Sequence, residues 1–522
     1  MKMGMINRRI FVATGAAALI ATQVRAQETA SQPQYSTRNV KWQAAYDKAL
    51  AVLAGNVQVV PRYSGPVLIE GADYAGIWME CGPHESLVYR KFRPDVARNS
   101  HMTFFELQRM DGQLPCNNKV LETGFGQIQM VVPMAATAWE LAQATNDEAL
   151  LASAYTACSA WDAWLLKYRN TRRLGLTEGF CTYDTGHDNS ARWDGIPPQC
   201  PNKDAKHYPE GFALPRLCPD LSATTYGARL ALGEMAKALG KANEADRWAE
   251  SADQMRRLIL EKLYVAEDAA FYDLDANDQF VRVRSDILSR VCGEHVVDQA
   301  LFDDLWTRQI HNPKAFWTNY PMPSVALDDP QFVRPLPKNS WGGPTQALTA
   351  LRAPRWMDHY GRAAEFSFMM TRWCEGLMAD MTFRQQMDPE TGKFTQEDLP
   401  NYSPAALVMM DYTWRLAGIV EEADALHWNV RPGHAAAEGA RFSLPTDGGV
   451  AAAMSYDGKG AVLSLAGKAL GRIDGVARLI TGKTGAPQAL LGISEKSEKI
   501  TLRLMGRPPR KLTIHPNERI AL

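Results

Sequence analysis

From about Lys41 to about Ile419 the chain keeps returning to one pattern: apolar residues three and four positions apart, interrupted by long polar loops. "NDEALLASAYTACSAWDAWLLKY" shows it, with Leu151, Ala154, Tyr155, Cys158, Trp161, Leu165 and Tyr168 on one stripe and Asn146 or Asp147 available as an N-cap. "SATTYGARLALGEMAKALG" reads as a helix opened by Ser222 and stopped by Gly240, and "NEADRWAESADQMRRLILEKLY" follows at once. Further amphipathic stretches fall at about 298–309, 343–352, 359–379 and 404–418. Helices that must bury one stripe each, arriving in antiparallel pairs with long loops between, predict an α-helical toroid. A faint echo agrees with repeated units: "FYDLDANDQF" (271–280) and "MDPETGKF" (387–394) each follow a long helix and read as a short hairpin. After Arg431 the texture changes to alternating polar and apolar residues between Gly, Asp-Gly and Pro turns, which predicts a small antiparallel β domain. "TGKTG" (481–485) lacks the leading glycine of a phosphate loop, because Ala477 stands there, and reads as a turn.

Charge excludes several partners. With 57 Lys+Arg against 58 Asp+Glu there is no basic excess for nucleic acid or an anionic membrane. The first residues, "NRRIFVATGAAALIATQVRA", pair Arg8 and Arg9 with a mild apolar run and a small-x-small site at Val24-Arg25-Ala26. That is an export signal of twin-arginine type, too short and too rich in Ala, Gly and Thr to anchor. The expected organisation is a signal over 1–26, a flexible segment over 27–40, a helical domain over 41–430 and a β domain over 431–522. The mature protein is expected to be periplasmic or secreted, with no membrane anchor. Eight cysteines fit that compartment, and the absence of C-x-x-C removes zinc-ribbon and thioredoxin readings. Cys158 reads as a buried thiol. A single disulfide among Cys181, Cys200 and Cys218 would staple the irregular segment they bracket, with free thiols as the alternative.

That segment holds the densest chemistry. "YDTGHDNSARWDG" (183–195) packs Asp184, His187, Asp188, Arg192, Trp193 and Asp194 into a turn-rich loop. No G-x-S-x-G occurs, no histidine pair has metal spacing, and "GFGQIQ" lacks the third glycine of a dinucleotide loop. Carboxylates, amides and tryptophans on loops remain, the equipment for cleaving glycosidic bonds. One carboxylic acid protonates the leaving oxygen while a second carboxylate activates water or attacks.

The segment "TGHDNSARWD" resembles the catalytic-acid loop of (α/α)6-toroid glycoside hydrolases, the clan of trehalase, processing α-glucosidase I and mannosylglycerate hydrolase. Four other segments agree in order: "ADYAGIWMECG" (72–82), "DGQLP" with "QIQMVVPMAATAWEL" (111–141), "FWTNYPMPSVALDDPQF" with "NSWGGPTQALTAL" (316–351), and "FRQQMDPETGKF" with "NYSPAALVMMDYTWRLAG" (383–418). The resemblance covers about 70–430. It implies an inverting hydrolase that needs no cofactor or metal and acts on a carbohydrate, with Asp188 as general acid. Two departures stand out. Gly342 occupies the arginine of the W-R-G-P motif, and Gln385 occupies the glutamate that serves as base, although an amide cannot accept a proton from water. Glu397 is then the first candidate base, followed by Glu80 and Asp380. Trp78, Glu80, Gln127, Gln129, Asn189, Arg192, Trp193, Trp317, Tyr320, Asn339, Trp341 and Gln385 are the candidate substrate contacts, several of them equally well explained by packing. Two alternatives stay open: a carbohydrate-binding protein that lost its base at Gln385, and a polysaccharide lyase on a similar toroid.

Overall fold

The computed structural model describes residues 32–334, 339–395 and 399–522. The expected signal over 1–26 and the candidate base Glu397 lie outside the described residues. The chain forms two compact units. One holds the N-terminal stretch through Ala44, Ala363–Ser367 and Tyr412–Leu522; the other holds Ala45–Arg362 and Phe368–Asp411.

The first unit is built on two antiparallel sheets. A seven-stranded sheet runs in the order Gln34–Ser36, Arg441–Pro445, Ala451–Tyr456, Gly460–Leu465, Lys468–Asp474, Glu498–Leu504 and Arg510–Ile514. A five-stranded sheet runs Ile419–Glu421, Ala425–Val430, Ala477–Gly482, Pro487–Leu491 and Arg519–Ala521. Two boundaries therefore differ from those read in the sequence. Residues 34–36, inside the stretch expected to be flexible, form an edge strand: Tyr35 pairs with Phe442, is buried, and donates its hydroxyl to Ala436 O at 2.5 Å. Strand structure also begins at Ile419, ahead of Arg431, because Trp428 and Asn429 are held in the sheet interior. The Trp428 indole donates to Thr481 Oγ1 at 3.0 Å, and Asn429 Oδ1 accepts from Arg478 at 2.7 Å. The "TGKTG" stretch is the turn between two strands, closed by Gly482 N–H to Ala486 O.

The second unit carries the helical hairpins. Met134–Thr145 ends on Asn146 in the left-handed region (φ 54°), and Asp147 immediately caps Glu148–Tyr168, its carboxylate accepting from Leu150 N–H at 2.8 Å. Pro219–Ala238 turns at Gly240 (φ 74°) into Ala242–Lys262, and the two helices lie along each other. The expected Ser222 cap is displaced: Pro219 takes the first turn, and Ser222 lies inside the helix accepting from Thr177 N–H. Phe104, Leu141, Leu150, Trp164, Leu232 and Met235 form part of one apolar core between these helices. Ile287–Gly293 and Ala347–Arg352 supply further short helices, and the amphipathic stretches near 359–379 and 404–418 are the helices Ala363–Asp380 and Ser403–Ala417. The two echo segments do form like-shaped hairpins. Leu274 pairs with Phe280 and Met387 with Phe394, and in each turn an aspartate carboxylate, Asp275 or Asp388, accepts two backbone N–H groups. Among the described residues no helix is long and apolar enough to cross a membrane.

Asp147→Ala removes a cap and an ion pair to Arg98 (2.8 Å), and is expected to lower unfolding free energy by about 1–2 kcal/mol in denaturant titration. An unchanged midpoint would show that the hairpin does not depend on this cap.

Candidate active site

The 183–195 loop is fixed from below by two buried charge clusters. Arg169, fully buried, stacks on Phe180, donates to Ala205 O at 2.8 Å and grips both carboxylate oxygens of Asp184. Asp184 in turn accepts the N–H groups of Ile128 and Phe180 at 2.8 and 2.7 Å, which ties the loop to the 127–130 segment. Arg192 makes two-pronged contacts to Asp220 and to Asp273, with distances of 2.7–2.8 Å. Those two carboxylates are buried, and Arg192 keeps the Asp220 carboxyl down at about 2 despite burial. Breaking such a pair strands a buried charge at a cost of about 3–5 kcal/mol. Arg192 also donates to His187 Nδ1 at 3.0 Å, and the Nε2 of the ring lies 2.7 Å from Asp286 Oδ1. Burial, with Arg290 nearby, pushes His187 down to about 4 and keeps it uncharged. Trp193 is buried, its indole donating to Thr185 Oγ1 at 2.8 Å. Arg192 and Trp193 thus hold the loop from within and do not face a substrate space.

Above this anchor sits Asp188. Its backbone carbonyl accepts from Trp341 N–H at 2.8 Å, and Asn189 Nδ2 donates to Asn339 O at 2.6 Å, stitching the loop to the 339–341 segment. Asn189 and Asn339 both adopt left-handed backbone (φ 55° and 37°) to make that junction. A directed chain of donors reaches the carboxyl: Tyr74 OH to Gln385 Oε1 (3.0 Å), Gln385 Nε2 to Asn339 Oδ1 (3.0 Å), and Asn339 Nδ2 to Asp188 Oδ2 (3.1 Å). Asp188 stays partly accessible, yet desolvation of its carboxyl, and then the charge of Glu80, push it up to about 7. Tyr74 and Trp78, both partly exposed and edge-to-face at 5.7 Å, stand beside it, with Trp341 packed behind Trp78 and 5.2 Å from the His187 ring.

Three more carboxyl groups lie in the same region: Glu70, Glu80 and Glu85, all buried. Glu70 accepts the Tyr402 hydroxyl at 2.6 Å, and burial followed by repulsion from Glu85 and Glu80 pushes it well above the usual range. Glu85, 0 % exposed, is pushed to about 8 by burial. Glu80 rises for the same reason, but Arg352, Arg290 and a hydrogen bond from Gln129 pull it back. The amides line up toward it: Gln199 Nε2 donates to Gln127 Oε1 (2.8 Å), Gln127 Nε2 to Gln129 Oε1 (3.0 Å), and Gln129 to Glu80. Gln127 and Gln129, expected to face substrate, therefore support Glu80. Gly186 is required beneath it, since at φ 63° a Cβ there would stand 1.8 Å from Glu80 Oε2.

Other expected contacts lie apart. Trp317 packs among Trp306, His311 and Phe368, and Tyr320 lies against Gly392 under the Arg372 guanidinium. Asp380 is exposed and accepts from Thr382 at the end of its helix. Of the bracket cysteines, Cys181 and Cys200 have sulfurs 3.8 Å apart, while Cys218 packs in the main core; all eight cysteines are buried thiols. Sequence reading missed Glu70, Glu85, Tyr74, Tyr402, Arg290 and Arg352. The missed signal was three glutamates spaced through the otherwise apolar stretch "PVLIEGADYAGIWMECGPHESLVY".

A helical scaffold with a sheet-rich C-terminal region here gathers several buried or partly buried carboxyls beside aromatic rings, the kinds of group that glycosidic cleavage uses. The chain belongs to the mannosylglycerate hydrolase MGH1-like glycoside hydrolase domain family, whose model matches residues 74–414, and it is a glycosidase. Its fold is similar to that of the mannosylglycerate hydrolase of Thermus thermophilus (18% identity, TM-score 0.58, 71% of this chain and 100% of that one). It is also similar to the neutral trehalase of Saccharomyces cerevisiae (12%, TM-score 0.52, 66% and 73%) and to a rhamnosidase from Klebsiella oxytoca (12%, TM-score 0.51, 74% and 66%).

The Glu85 carboxyl has a pH signature. Its folded value near 8 exceeds the ordinary 4.5, so the stability of its neutral form is full below pH 4.5 and is lost as pH rises through about 8. Glu85→Gln should match wild type in melting temperature near pH 5 and exceed it by about 2 °C or more at pH 9. Parallel melting profiles across that range would refute the buried-acid reading.

Proposed function

We propose that this protein is an exported, inverting glycosidase on an (α/α)6 toroid, with Asp188 donating a proton to the leaving oxygen of an oligo- or polysaccharide. The observation that carries this reading is the setting of Asp188, a partly accessible carboxyl held by Asn339 on a loop stitched to the 339–341 segment. A carboxyl held near 7 is protonated over the range in which a general acid must work, and it stands accessible beside Tyr74 and Trp78. Tyr74, Trp78, Asn189 and Asn339 are among the partly or fully exposed polar and aromatic groups around it, suited to a sugar ring's hydroxyls and apolar face. Gln385, the middle link of the chain from Tyr74, positions Asn339 against the acid in place of serving as base. The helical hairpins and the likeness to mannosylglycerate hydrolase and trehalase support the toroid. Arg8 and Arg9 ahead of the apolar run support export to the periplasm or beyond.

Incubation with a panel of oligosaccharides should release new reducing ends, without the absorbing unsaturated product of a lyase. Binding without turnover across the panel would sink the hydrolase reading. Asp188→Asn is expected to lower kcat on unactivated glycosides by about 10²–10⁴-fold while leaving sugar binding intact. Wild-type kcat/KM should decline as pH rises through about 7, where Asp188 gives up its proton.

A further inference from the structure

An inverting mechanism needs a carboxylate opposite the acid, and the position the clan uses for it is an amide here, Gln385. Of the three buried glutamates beside Asp188, two are built to stay neutral. Glu85, with neither a guanidinium nor an amide donor on its carboxyl oxygens, is kept neutral by burial, and Glu70 by burial and by repulsion from Glu85 and Glu80, which outweigh the hydrogen bond it accepts from Tyr402. Glu80 alone stands at the end of a one-way chain of amide donors from Gln199 through Gln127 and Gln129, with the Arg352 and Arg290 charges behind it. Arg352 is further committed to this segment by donating to the Glu80 carbonyl at 3.0 Å, and Arg290 to the acid loop by donating to Thr185 O at 2.6 Å. Every one of these groups favours the anion. The same anion faces the acid loop at Gly186, two residues before Asp188, where the missing side chain leaves its carboxylate room.

We infer that Glu80 is the general base of this enzyme, taking the role that Gln385 cannot perform. The inference rests on Asp188 being the acid. A water oxygen forms the new bond to the anomeric carbon as Glu80 takes one of its protons. The bond to the leaving oxygen breaks with its electron pair on that oxygen, which receives the Asp188 proton. Glu80 ends protonated and Asp188 ionised, and solvent restores both. Two neighbouring carboxyls are thereby driven apart: donors and guanidinium charges pull Glu80 back against the upward push of burial, while burial and the charge of Glu80 push Asp188 up.

Glycosyl fluorides separate the two roles, because fluoride departs without a proton. With α- and β-fluorides of glucose, mannose and rhamnose beside the oligosaccharide panel, Asp188→Asn should lose oligosaccharide turnover and keep fluoride hydrolysis. Glu80→Gln should lose at least 10²-fold in kcat on both kinds of substrate with KM little changed. Azide added to a folded Glu80→Ala protein should restore turnover of the fluoride by yielding a glycosyl azide of inverted configuration, a rescue that a structural or sugar-binding role would not give. Glu80→Gln within tenfold of wild-type kcat on fluoride, or Glu80→Ala folded but unresponsive to azide, overturns the base assignment alone. Full oligosaccharide activity in Asp188→Asn removes the acid assignment and this inference with it.

Discussion

Four carboxyl groups, Glu70, Glu80, Glu85 and Asp188, are gathered where water is scarce, with Arg352 and Arg290 supplying positive charge beside Glu80. Arg290 is already shared with Asp220 and Asp286. Four anions in that volume would repel one another in a low dielectric, so most must hold protons at neutral pH. The rest of the site follows from how protons are distributed. The group nearest the guanidinium charges and the amide chain is the one best able to ionise, and its charge then helps keep Asp188 protonated. Burial does not disfavour chemistry here; it sorts equal functional groups into unequal ones.

Such sorting works only if the backbone cannot relax away from it. The acid loop has little regular structure of its own, and its rigidity comes from Arg169 on Asp184 and from Arg192 between Asp220 and Asp273. Both arginines draw partners from distant parts of the chain, so the loop is set by tertiary contacts and not by local turn preference. His187 belongs to the same frame: it is caught between Arg192 and Asp286, and its uncharged ring packs against Trp341.

What could be read from the sequence was what depends on short-range pattern. Helix stripes, the Asp147 cap, the hairpin turns at 273–280 and 387–394, and the charged loop with Asp188 all declare themselves within about twenty residues. Family likeness then singles out Asp188 as the proposed acid. Roles set by distant partners were not legible. Arg192 and Trp193 look like sugar contacts until Asp220, Asp273 and Thr185 are seen to occupy them, and Gln127 and Gln129 look substrate-facing until they are seen to point at Glu80. Glu70 and Glu85 were passed over because nothing nearby in sequence marks a glutamate as buried, except the apolar residues around it. The edge strand at 34–36 escaped for the same reason, its partner lying some four hundred residues on.

The two departures from the clan's motifs have a common physical setting. At Gly342 a Cβ would come within 2.8 Å of a Val333 methyl and 3.1 Å of Asn189 O, so the arginine found there in relatives has no room while the acid loop stays where it is. Gln385 lies in the same junction, its amide reaching Asp188 through Asn339, which also receives Asn189. A loop pressed this closely onto the 339–342 segment leaves the usual arginine no space. It also places an amide where the usual base would add a further anion beside Asp188. Moving the carboxylate to position 80 keeps the number of charges the pocket can tolerate, and it puts that carboxylate against Gly186, which has no side chain to exclude it.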